Sequence, residues 1–128
     1  MTTEEKRAYL EKMHRDRGYS LEAHKIMVEN DMEWVKAYEP FIQATYVGQR
    51  TLDRKTKELL QIVVETALRA DLEQIRAHMR VALENGATPR EIFEALEAVA
   101  MPMGMLAFYK GVTAWGAEVG AQPEKDKP

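Results

Sequence analysis

Three features of the sequence predict an all-α fold. Apolar residues recur at spacings of three and four through most of the chain. Helix starts are written at Thr2-x-x-Glu5, Asp53 and Thr88-Pro89-Arg90-Glu91, and stops at Gly18 and Gly86. No segment sustains the apolar–polar alternation of a half-buried strand. The expected architecture is a bundle of about six to seven helices in a single domain.

The elements follow in order. Thr2 and Glu5 form a capping box, in which each side chain satisfies a free amide at the other's position. The first helix runs to about Asp16, buries Tyr9, Leu10 and Met13, and stops at Arg17-Gly18. Ser20 opens a second helix to about Glu29, and Asn30-Asp31 breaks and recaps it. The third carries Met32, Val35 and Tyr38 on one face. Pro40 forces a kink or a fresh start there, because it has no amide hydrogen and crowds the preceding turn. Gly48-Gln49-Arg50 ends the segment.

Asp53 caps the fourth helix, which runs to about Arg69. Leu59, Leu60, Ile62, Val63, Val64, Ala67 and Leu68 make it apolar around most of its circumference, as in a central helix. A stripe of Arg54, Glu58, Gln61, Glu65 and Arg69 is the exception. Asp71, with Gln74 three residues on, caps the fifth helix, whose buried stripe is Leu72, Ile75, Met79, Ala82 and Leu83. Gly86 closes it in the left-handed conformation. The sixth helix starts at Thr88 and buries Ile92, Phe93, Leu96 and Val99. Met101-Pro102-Met103-Gly104 is a break. The last helix runs from about Met105 to Val119, with a packing seam of Met105, Phe108, Val112, Trp115 and Val119. Ala107, Gly111 and Ala114 form a small-residue face on it, where another backbone can approach closely. Residues 1–50 read as an N-terminal helical extension packed on the same domain, 51–120 as the core, and 121–128 as a disordered tail.

Composition narrows the function classes. The chain has 128 residues, a net charge of −3 and no lysine- or arginine-rich block, so a nucleic-acid partner is not expected. The polar, acidic N-terminus is no signal peptide, and the longest mainly apolar run, Ala98 to Tyr109, is too short to span a bilayer. A cytoplasmic protein with no membrane partner is the expectation. There is no cysteine, which removes disulfides, thiolate metal sites and cysteine nucleophiles. His14, His24 and His78 are the three histidines and show no His-x-x-x-His spacing, so no metal site is expected. No glycine-rich phosphate loop is present, and no cofactor is expected.

His78 leads the candidates for chemistry. It lies about 90° from the centre of its helix's apolar stripe, a boundary at which a side chain is held yet reachable. Imidazole is the side chain whose ordinary pKa suits acid–base work near neutral pH. The competing reading is a half-buried structural histidine. Glu58 and Glu65 are seven residues apart on one helix face and offer a general base or a group to orient His78. Equally, Arg54–Glu58 and Glu65–Arg69 are i,i+4 pairs of the kind found on a solvated face. Arg50 and Arg80 are candidates to hold a substrate carboxylate in a bidentate contact, although Arg76 and Arg80 also suit a surface ladder with Glu73 and Glu84. Met101 and Met103 suit an irregular apolar pocket, a core or a subunit interface. With Tyr109 they complete the candidate substrate-binding set.

The stretch Leu52-Asp53-Arg54-Lys55-Thr56-Lys57-Glu58-Leu59, then Thr66-Ala67-Leu68, His78-x-x-x-Ala82-Leu83 and Asn85-Gly86-Ala87-Thr88-Pro89-Arg90-Glu91-Ile92, resembles the carboxymuconolactone decarboxylase family. That family includes the AhpD-like alkylhydroperoxidases. Glu94-Ala95-Leu96 and Gly104 extend the resemblance, which covers about residues 50 to 115. It implies a compact helical bundle that assembles into homo-oligomeric rings, trimers or hexamers, with sites between helices near subunit contacts. The family's peroxidase branch uses Cys-x-x-Cys-x-x-x-His with an upstream glutamate. Here His78 and Glu58 match, but Asp71 and Gln74 stand at the cysteine positions, so thiol peroxide reduction by that route is excluded. The decarboxylase branch lacks those cysteines and implies a cofactor-free lyase acting on a small lactone acid of aromatic catabolism. His78 would be its general acid or base, with Glu58 or Glu65 orienting it. Two other classes stay open: a different cofactor-free isomerase, dehydratase or lactone-processing enzyme, and a non-catalytic oligomer that binds a small molecule. The turn between Leu68 and His78 is one residue longer than the family's usual spacing.

Overall fold

The computed structural model describes residues 1–120. The expected tail, 121–128, lies outside them. The fold is all-α, with eight α-helices and two π-helical segments among the described residues. The chain divides into two compact units, Met1–Leu52 and Asp53–Pro128. Among the described residues, no helix is long and apolar enough to cross a membrane.

The first unit holds α1 (Thr3–Arg17), α2 (Glu22–Asn30) and α3 (Met32–Ile42), followed by a π-helical turn, Gln43–Val47. The Thr2–Glu5 capping box forms as expected, and Gly18 ends α1 at φ 86°, where a side chain would be strained. Ser20 does not open α2. The helix starts one residue past Leu21, whose N–H donates to His24 Nδ1 at 3.0 Å, so a histidine one turn inside the helix replaces an N-cap. Asp31 caps α3 by accepting from the Trp34 N–H. Pro40 does not break α3, which continues to Ile42 and then widens into the π turn. Met13, Val28 and Val35 form the small core, with Tyr9, Leu10, Met27, Met32 and Tyr38 around it.

Beside that core, Arg17 is buried and donates to the Tyr38 hydroxyl at 3.1 Å and to Glu39 Oε1 at 2.6 Å. It also meets His24 Nε2 at 3.1 Å. A neutral imidazole has a single acceptor nitrogen, yet both ring nitrogens of His24 face donors. A second ring proton would worsen this conflict. Burial, and then the neighbouring Arg17 charge, push His24 down to about 4, against a weaker pull from Glu39.

The second unit holds α4 (Arg54–Ala67), α5 (Leu72–Glu84), α6 (Pro89–Ala98), the single turn α7 (Ala100–Met103), α8 (Met105–Trp115) and a π-helical segment, Gly116–Gly120. Asp53 caps α4 through the Thr56 N–H, and Thr88 and Glu91 form the second capping box. Asp71 stands at the start of α5, but its side chain makes no capping hydrogen bond. The core is Ile62, Ile75, Met79, Ala82, Ala87, Ile92, Leu96 and Ala114. Each large member contributes about 1.5–3 kcal/mol by leaving water.

The small-residue face of α8 is the buried one: Ala107, Gly111 and Ala114 point inward. A Cβ on Gly111 would lie 2.7 Å from Thr66 Cγ2 and 3.0 Å from Leu96 Cδ2, so α8 approaches α4 and α6 as closely as a missing side chain allows. Of the expected seam on α8, Met105 is exposed, while Phe108 and Trp115 pack edge-on against Phe93.

Helix α4 is not the enclosed helix its composition suggests. Leu60, Val64 and Leu68 are 49%, 54% and 76% exposed, whereas Glu58 is fully buried. Its carboxylates face inward and part of its leucine face outward.

Candidate acid–base site on helices α4 and α5

The inward carboxylates of α4 meet His78 of α5. Glu58 Oε1 lies 2.7 Å from His78 Nδ1, and Glu65 Oε2 lies 2.8 Å from His78 Nε2. Arg54, one turn before Glu58, donates from Nε to Glu58 Oε2 at 2.9 Å. The side chains of His78, Glu58 and Glu65 are 2%, 0% and 12% exposed.

The local sequence explains this placement. Glu58, Ile62, Glu65 and Thr66 fall on one side of α4, so that side carries two carboxyl groups two turns apart with Ile62 between them and Thr66 just beyond. The buried residues of α5 run over Ile75, Ala77, His78, Met79, Val81 and Ala82, a broader face than the apolar stripe alone. His78 is therefore inside the interface and not at its edge, opposite the polar stripe of α4.

Each short N···O contact needs a proton between its atoms. With two such contacts on one ring, the cluster holds two shared protons, one more than a neutral imidazole supplies. In the imidazolium form Arg54, Glu58, His78 and Glu65 alternate in charge and sum to zero. Burial alone would drive the imidazole towards neutrality. The hydrogen bonds to Glu58 and Glu65, with the attraction of both carboxylates, outweigh burial and push His78 up to about 9.

Glu65 Oε1 is buried and makes no hydrogen bond to any described residue, and the same holds for Thr66 Oγ1. Among the described residues no group of three or more His, Asp or Glu side chains is placed to hold a metal ion.

Arg80 donates to Glu118 Oε1 at 2.8 Å, and Arg76 pairs with the same carboxylate. Arg50 belongs to the first unit and donates to the Ala44 carbonyl. Met101 is 94% exposed, and Tyr109 is exposed on α8. Met103 lines a cavity of about 230 Å³ with Val63, Val64, Ala67, Val99 and Pro102, none of which carries a polar side chain. Arg54 is the member of the cluster that the sequence left on a solvated face. Its i,i+4 spacing to Glu58 was the signal.

In the α4–α5 turn Arg69 stands at φ 57°. The Arg69 N–H reaches the Thr66 carbonyl and the Ala70 N–H reaches the Glu65 carbonyl, both at 2.9 Å. This is a Schellman cap with arginine where glycine is usual, and it closes on the backbone of Glu65.

The carboxymuconolactone decarboxylase family model matches residues 33–117. The chain belongs to that family. The match reaches further towards the N-terminus than the resemblance from residue 50 onward, and so enters the first unit. Comparisons with curated proteins and with solved structures return no match. As a member of the carboxymuconolactone decarboxylase family without cysteine, the protein has its histidine between two glutamates and no redox pair.

Proposed function

We propose that the protein is a cofactor-free carbon–carbon lyase that decarboxylates a small lactone acid, with the Glu58–His78–Glu65 cluster supplying the proton. One observation carries this reading: a buried imidazole with a glutamate carboxyl group within 2.8 Å of each of its nitrogens. Loss of carbon dioxide from an acid such as γ-carboxymuconolactone leaves an electron pair that delocalises into the conjugated lactone carbonyl. The protein then has to position the substrate, keep the departing carboxylate poorly solvated and protonate the carbon. Positioned acid catalysis contributes about 10²- to 10⁴-fold.

The exposed Leu60 and Val64 on α4, with Leu68 at its C-cap, support assembly into homo-oligomers, since an apolar helix face of this kind marks an interaction surface. The cavity beside Met103 supports a second reading. Its lining carries no charge to meet a carboxylate and includes no member of the proton cluster, which favours an uncharged substrate of the kind an isomerase or dehydratase takes. Turnover of γ-carboxymuconolactone, followed by ultraviolet absorbance and carbon dioxide release beside His78→Gln, separates the two. Turnover lost in the variant supports the lyase; an inactive wild type rejects it.

A further inference from the structure

His78 has two nitrogens, and a carboxyl group occupies each at 2.7 and 2.8 Å. No substrate atom reaches the ring without displacing a glutamate. Glu58 is fully buried, with Oε1 on His78 and Oε2 on Arg54. Glu65 differs. It is the most exposed of the three, Oε2 rests on His78, and Oε1 makes no hydrogen bond to any described residue. A buried carboxyl oxygen left in that state calls for a reason.

We propose that Glu65 is the catalytic residue that exchanges the proton with substrate, and that His78 acts through it as a positioning residue and proton store. This rests on the acid–base reading above. The proton on Nε2 crosses the 2.8 Å contact to Oε2, so an N–H bond breaks, an O–H bond forms, and both groups become neutral. The carboxyl group turns about its last bond, bringing the O–H towards the substrate and Oε1 against the imidazole. The electron pair left on carbon by departing carbon dioxide takes that proton. The O–H bond breaks and a C–H bond forms. The cluster is then one proton short, with Nδ1–H still directed at Glu58, and water restores the proton by the same route.

The test uses the full chain with ¹⁵N-labelled histidine. Exchange of the His78 Nε2–H with water is measured by saturation transfer, in wild type, Glu65→Gln and Glu65→Asp, each held well below its own His78 titration midpoint. Glutamine keeps the size of the side chain but cannot take up and pass on a proton. The proposal expects Glu65→Gln to slow exchange by roughly tenfold or more, and aspartate to restore part of the rate, since a positioned proton carrier is worth about 10²–10⁴-fold. A merely structural Glu65 gives the opposite result, because loosened packing speeds exchange. Equal or faster exchange in Glu65→Gln therefore overturns the proposal. With γ-carboxymuconolactone, the expected result is a kcat loss of similar size in Glu65→Gln with KM little changed, and unchanged kcat overturns the proposal as well. If the wild type ignores this lactone while Glu65→Gln slows exchange, the decarboxylase reading fails and the role of Glu65 stands.

Discussion

Glu65 and His78 come from adjacent helices and meet at 2.8 Å through Oε2 and Nε2, in a contact that is almost wholly buried. Removing the imidazole leaves two carboxyl groups facing each other out of water. His78→Ala is expected to destabilise the second unit by about 3–5 kcal/mol, the usual cost of stranding a buried charge. Urea unfolding in a Trp34→Phe background, followed by Trp115 fluorescence, measures it. A loss below about 1 kcal/mol would mean that water or repacking replaces the ring. Activity lost in this variant is uninformative unless folding is checked.

The two buried histidines set opposite pH limits. His78 titrates in the folded protein at about 9, above its ordinary 6.5. Its contribution is complete below pH 6.5 and is lost as pH rises through about 9. His24 is depressed to about 4, so its neutral form favours folding above pH 6.5, and that advantage is lost as pH falls towards 4. Each unit has one tryptophan, Trp34 or Trp115. Trp115→Phe leaves Trp34 to report the first unit, which should weaken in acid. Trp34→Phe leaves Trp115 to report the second, which should weaken in alkali. At about 1.4 kcal/mol per pKa unit, each change amounts to a few kcal/mol at most. His78→Gln should flatten the alkaline limb alone.

Arg69 adopts the left-handed conformation at φ 57°, which costs a residue with a side chain about 1–2 kcal/mol. Arg69→Gly relieves that strain but frees the unfolded chain, which offsets about 0.4–1 kcal/mol. The expected net gain is on the order of 0.5 kcal/mol. Arg69→Ala is the control and should show no gain. Thermal unfolding of the three proteins reads the difference.

Gly111→Ala should destabilise despite alanine's better helix propensity, worth about 1 kcal/mol. Its Cβ would stand 2.7 Å from Thr66 Cγ2. Thr66 is β-branched and stiff, so the clash is relieved by moving helices, at about 1–3 kcal/mol. Thr66→Ser removes the clashing methyl. In the double variant most of the Gly111→Ala loss should be recovered, a coupling that a double-mutant cycle measures.

Local rules made much of the fold legible. The capping boxes at Thr2–Glu5 and Thr88–Glu91, the Asp53 cap, and the left-handed glycines at 18 and 86 each depend on residues within one turn. His78, Glu58 and Glu65, which the structure brings together, were legible as candidates too, because they are a few ionisable groups in apolar helices. Their burial was not. An i,i+4 pair such as Arg54–Glu58 has the same spacing in water and in a core, and only the packing of α5 decides between them. For the same reason, nothing near Leu60 or Leu68 reveals that these leucines face outward. Pro40 stayed in its helix and the turn after it widened, and no residue type announces that backbone adjustment.

Glu58 and Glu65 grip His78 from points two turns apart on α4, roughly 10 Å along the helix axis. One rigid five-membered ring thus bolts α5 to α4 at two heights. Leucines and alanines in the same seam would tolerate a slip of one helical turn, since one apolar side chain replaces another. The imidazole does not, because a slip would strand one of its nitrogens. The ring therefore acts as a mechanical key that fixes the axial register of the two helices, independently of any reaction it serves.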